Sequence, residues 1–134
     1  MSLTHRHTVS VRTNAGTVSS ADYTLTGDHE YNHEKTYDIG TDVALDMAAD
    51  VSTIVSLAIH WTATSGSGSC TLETNSSSAA DDTLTLLHDK PLLWDTQVET
   101  TTGATCPLTT DVTSAFVTNA AAGTLKIYIL MNGS

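Results

Sequence analysis

Between Thr74 and Asp95 the chain passes from a polar cluster, Asn75 to Asp82, straight into the alternation Thr83, Leu84, Thr85, Leu86. Asn, Ser and Asp side chains bond their own backbone and favour turns, and a strict two-residue period buries one face of a strand. Pro91 lacks an amide hydrogen and is excluded from a central strand. Asp89 to Pro91 therefore reads as a break before a second short apolar piece, Leu92 to Trp94. Loop, strand, turn and strand in 22 residues is the grammar of an antiparallel β-domain, and Leu86 is expected to face its core.

The same period recurs along the chain. His5, His7, Val9 and Val11 alternate with Thr4, Arg6, Thr8, Ser10 and Arg12. A turn at Asn14 to Thr17 leads to Ala21, Tyr23 and Leu25, so the first two elements read as a hairpin. His29 to Asp38 is dense in charge and is expected to be a polar loop over 28–38 or a very short helix. From Tyr37 to Asp50 two readings stay open. Val43, Leu45 and Met47 fit a strand, the preferred choice, while Asp42, Asp46 and Asp50 fit one helix face. Val51 to Trp61 reads as the central strand, with Val51, Thr53, Val55, Leu57, Ile59 and Trp61 on one face. Ser65 to Ser69 and Thr100 to Ala104 read as loops, and Cys106 and Pro107 begin a strand, with the proline at an edge or at a start position. Asp111 to Asn119 and the alternation Leu125, Ile127, Ile129, Met131 supply the last strands. About eight or nine short strands without a long helix predict an all-β, antiparallel, jelly-roll-like β-sandwich. One domain over residues 1–134 accounts for the whole chain, the first residues forming an arm.

Charge narrows the functions. A net charge of −10 leaves no basic patch to neutralise a phosphate backbone, so direct nucleic-acid binding is not expected. The longest apolar stretch, near Val51 to Trp61, is broken by Ser52, Thr53, Ser56 and His60, and no membrane span is expected. No secretion-signal pattern opens the sequence, which points to cytosolic synthesis. Cys70 and Cys106, without a CxxC spacing, read as two free buried thiols, although a bridge between neighbouring strands stays open.

Candidate chemistry is sparse. His29, Glu30, Tyr31, Asn32, His33 spells H-E-x-x-H, which on a helix would set His29 and His33 on one zinc ion with Glu30 as the base. Gly27 and Asp28 on one side and Thr36 to Gly40 on the other leave barely two helical turns and no apolar stripe to dock them, so a solvated loop is the preferred reading and no metal or cofactor is expected. His5 and His7, two residues apart on one strand face, could chelate a metal but suit half-buried positions better. Adjacent Asp81 and Asp82 would point to opposite faces and cannot act together as acid and base. No G-x-S-x-G elbow and no phosphate loop is present. Trp61 and Trp94, with four Tyr and one Phe, could form an aromatic sugar-binding face, but core or interface packing is the preferred reading, which leaves Tyr128 as the exposed aromatic for contact with sugar or protein.

A set of spaced residues carries a resemblance. It comprises Leu72, Thr74, Asn75, Ser76 and Ser77, then Asp81, Asp82, Thr83, Leu84 and Leu86, then Pro91, Leu92 and Trp94. It continues with Thr110 to Thr113, Val117 to Asn119, and Thr124 to Ile127 with Leu130. With this spacing the stretch from Cys70 to Asn132 resembles small tailed-phage virion proteins of jelly-roll fold that decorate or cement capsids. The resemblance implies a non-enzymatic structural protein of the virion, the major capsid protein as partner, and a homo-oligomer, dimer or trimer. Alternatives are a head-fibre, tail or baseplate component and a carbohydrate-binding jelly-roll module.

Overall fold

The computed structural model describes residues 2–133, without the side chains of residues 11, 17–20 and 23, so the faces expected for Val11 and Tyr23 lie outside the described residues. Ten strands, one 3-10 turn and one short α-helix follow in order: β1 Leu3–Thr13, β2 Gly16–Gly27, β3 His29–Tyr37, β4 Gly40–Leu45, the 3-10 turn Val51–Thr53, β5 Ile54–Ala63, β6 Cys70–Thr74, β7 Thr83–Leu86, β8 Leu92–Asp95, α1 Thr96–Thr102, β9 Ala115–Asn119 and β10 Gly123–Met131. β1 and β2 form a two-stranded sheet of their own, while the rest build two four-stranded sheets of order β3-β10-β5-β8 and β4-β9-β6-β7. Every neighbouring pair is antiparallel. No helix among the described residues is long and apolar enough to cross a membrane.

The alternation read from the sequence fills the space between the two large sheets. Leu57, Ile59 and Trp61 of β5, Leu72 of β6, Leu86 of β7 and Leu125, Ile127 and Ile129 of β10 are buried in one cluster. Each such side chain contributes about 1.5 to 3 kcal/mol by leaving water. Both indoles find an acceptor, Trp61 Nε1 donating to the Gly68 carbonyl at 3.1 Å and Trp94 Nε1 to the Ala104 carbonyl at 2.8 Å. Tyr37 to Asp50 resolves as the strand β4 followed by an extended run whose Met47 is fully buried. Cys70 and Cys106 are both free, and burial pushes the Cys70 thiol up to about 12.

Four expectations require correction. Residues 28–38 are not a loop: His29–Tyr37 is an edge strand paired along its length with β10. Tyr31, His33 and Tyr37 carry its inward period, the two tyrosines as its only apolar members, and an edge strand exposed to water tolerates the charges that disguised it. The central strand starts at Ile54, not Val51, because Val51–Thr53 form a 3-10 turn capped by Asp50, and Val55 does not share the face of Leu57. Leu130 stands opposite Ser56 and Met131 opposite Ile54, so Val55 is the extra residue of a β-bulge that reverses the alternation. Thr100 to Thr102 end the helix α1, capped by Gly103 at φ 76°. Cys106 and Pro107 start no strand; Val112 instead makes an isolated bridge to Ala49.

The bulge matters for the hairpin. It turns Val55 outward, where with Leu130 and Leu25 it forms a second buried cluster, flanked by Leu3, on the outer face of the β3-β10-β5-β8 sheet. The hairpin root is fastened there. Gly27 closes it, since a Cβ at that position would stand 2.6 Å from the Met131 carbonyl oxygen and 2.9 Å from Leu130 Cγ.

Candidate functional site

Alternation along β1 aims His5 and His7 at the outer face of the sheet beneath them. His5 bridges two strands: Nε2 donates to Glu30 Oε1 on β3 at 2.9 Å, and Nδ1 lies 2.9 Å from Ser56 Oγ on β5. The His5 contact, joined by Asn32, holds the Glu30 carboxyl below the usual range. One position further out, His7 Nδ1 donates to Asp95 Oδ2 at 3.0 Å at the end of β8. The other oxygen of Asp95 accepts from Val98 N at 2.8 Å and caps α1, and the residue is 1 % exposed. Each imidazole thus meets a body carboxylate after a chain separation of 25 or 88 residues.

Hairpin and sheet enclose a groove of about 320 Å³, whose walls include His5, Arg6, His7, Glu30, Asn32 and Tyr128. Tyr128 stands between Asn32 and Ala58 in the sheet register, and the small Ala58 leaves the space beside its ring. Arg6 Nε donates to Asp22 Oδ1 at 2.9 Å, its Nη2 meets Asp22 Oδ2, and Thr8 Oγ1 donates to the same aspartate at 2.9 Å. Arg6, and then Thr8, hold the Asp22 carboxyl below its ordinary value. A half-exposed phenol, an amide, a carboxylate and imidazoles lining one groove can bind a polar ligand; Ser56, His5 and Glu30 are hydrogen-bonded in the order of a nucleophile, base and orienting group, but the Ser56 side chain is fully buried beneath His5.

The strand β3 takes the H-E-x-x-H residues apart. On a strand His29 and His33 lie about 13 Å apart and Glu30 points to the opposite face, whereas zinc needs donors near 2 Å. His29 Nδ1 pairs with Asp28 at 2.7 Å and His33 Nε2 with the Tyr37 hydroxyl at 2.9 Å. Burial, and then the Lys35 charge, lowers the His33 pKa. Among the described residues no three His, Cys, Asp or Glu side chains come together in a way that could hold a metal ion. His5 and His7 are occupied with carboxylates rather than with each other.

Asp81 and Asp82 precede β7, and both stitch loops. Asp82 accepts from Thr109 N at 2.9 Å and Thr109 Oγ1 at 2.6 Å. Asp81 accepts from Asn75 Nδ2 at 2.6 Å, while Asn75 also donates to the Asp111 carbonyl and accepts from Thr113 N at 2.9 Å. The Asn75 to Asp82 loop is therefore bolted to the segment before β9. Glu30 and Asp95 as histidine partners were not singled out in the sequence, because no local pattern encodes a contact between strands so distant in the chain.

No protein-family model matches this chain, and comparison with curated proteins and with solved structures gives no match.

Proposed function

We propose that this chain is a non-enzymatic structural protein of a phage virion, a cement or decoration subunit that binds the major capsid protein. The observation that carries the reading is the order of the two large sheets. In β3-β10-β5-β8 and β4-β9-β6-β7 the chain crosses repeatedly between the layers, as in an eight-stranded jelly roll. To this body a long hairpin is added, rooted on one sheet. Glu30, His33, Asp82 and Asp95 all make hydrogen bonds within the fold, which supports a structural reading. Bound over a seam between capsid proteins, such a subunit adds an interface of the order of 1,000 Å² or more that must break before the shell opens. The purified chain should co-sediment with purified phage heads at saturable stoichiometry; recovery in the supernatant alone would reject the proposal.

The groove beside Tyr128 favours a second reading, a carbohydrate-binding jelly-roll module. It predicts binding on a glycan array that Tyr128→Ala abolishes while co-sedimentation with heads is absent.

A further inference from the structure

Beyond His7 the hairpin leaves the sandwich. The described residues 8–10, 12–16 and 21–22 are all exposed, although successive residues point to opposite faces of the ribbon. Among the described residues nothing therefore covers either face of this part, and their side-chain hydrogen bonds stay within the hairpin. From Thr8 to Thr13 the reach is about 20 Å. An isolated two-stranded ribbon is at best marginally stable in water, so this length gains most from added strands.

The two outer edges of the ribbon differ. Val11 stands opposite Ser19 and Arg12 opposite Thr17, so Val18 is an extra residue that interrupts the β2 edge. The β1 edge runs unbroken through Thr8, Val9, Ser10 and Val11, four uncharged residues without proline. Protected edges usually carry lysine, proline or a bulge, and this stretch has none of them.

Charge indicates the occupant. Of the five Lys and Arg, Arg6 and Arg12 lie on the hairpin; of the fifteen Asp and Glu, only Asp22 does. The sandwich keeps the other fourteen against Lys35, Lys90 and Lys126. Two sandwiches in contact repel strongly. Two hairpins do not, and their reach of about 20 Å holds the acidic bodies more than the Debye length of about 8 Å apart at physiological salt. We infer that the β1 edge from Thr8 to Val11 is a docking surface for a second copy of this chain, which pairs antiparallel with it to make a four-stranded ribbon about a twofold axis. Each copy supplies the same edge, and the pairing needs no capsid.

Sedimentation velocity on the purified chain tests this. A concentration-dependent species of twice the 14.1 kDa chain mass is expected, strengthening as salt screens the bodies. Ser10→Lys sets like charges across the twofold and should weaken association about tenfold. Ser20→Lys adds the same charge at the Cα partner of Ser10, one strand away from the edge, and should weaken it clearly less. A shortened hairpin joining Thr8 to Asp22 through Asn-Gly keeps Leu3, His5, His7 and Leu25, so it should fold and remain monomeric. A wild-type chain that stays monomeric up to about 0.1 mM overturns the inference. So does a shortened variant that still dimerises, or equal effects of the two lysines.

Discussion

The contact between His7 and Asp95 permits a quantitative test, because one carboxylate performs two separable tasks. Its Oδ2 accepts from His7 at 3.0 Å and its Oδ1 caps α1 through Val98 N at 2.8 Å, in a residue that is 1 % exposed. Asparagine caps a helix about as well as aspartate, so Asp95→Asn retains the cap and removes the charge opposite His7. A charge-assisted hydrogen bond in a buried setting is worth about 1.5 to 3 kcal/mol, and the amide oxygen keeps part of it, so the expected loss is about 1 to 2 kcal/mol. Asp95→Ala loses the cap as well and should cost about 1 kcal/mol more. Against His7→Ala, the double-mutant cycle with Asp95→Asn should give a coupling of about 1 kcal/mol. Urea unfolding of the four proteins at pH 7, compared at constant m-value, measures it. A coupling within about 0.3 kcal/mol of zero would mean that hairpin and sheet do not meet there, and the account of how the hairpin is held would fail.

Three further outcomes follow from single residues. Leu86 is 1 % exposed in the main core, so Leu86→Ala should cost about 2 to 5 kcal/mol in the same urea assay; an unchanged midpoint would place it outside the core. His33 has a pKa lowered from 6.5 by burial, so the folded chain binds fewer protons than the unfolded one. The stability it contributes is present above pH 6.5 and declines as pH falls through 6.5 toward the lower folded value. Relative to wild type, His33→Gln should therefore gain stability on acidification, and parallel pH profiles would refute this. The Cys70 thiol, buried and pushed up to about 12, should resist thiol reagents at pH 8 until the chain unfolds; rapid modification of the native protein at Cys70 would contradict its position.

Sequence legibility followed burial. Leu125 to Met131 and Leu57 to Trp61 are strands with one face in the core, and there the two-residue period survives intact. β3 was hidden because an edge strand turns only Tyr31, half-buried His33 and Tyr37 inward and can expose the rest, so H-E-x-x-H, a helical motif, lay on an extended backbone. The bulge at Val55 could not be read from composition, since Ile54 and Val55 are equally apolar and only the pairing with β10 decides which turns outward. α1 did carry local signals: Asp95 sits at its N-cap and Gly103 at its C-terminal end, within a threonine-rich run of weak helix formers. The groove walls come from β1, β3, β5 and β10, and the hairpin is pinned by pairs whose partners lie 25 and 88 residues away. Such pairs follow from topology, which single positions do not encode.

The most direct test of the proposed function heats purified phage heads with and without saturating chain and follows DNA release with an intercalating dye. A cement subunit raises the release temperature, because its interface must break before the shell opens. Heads that release DNA at the same temperature with and without the chain would contradict the account.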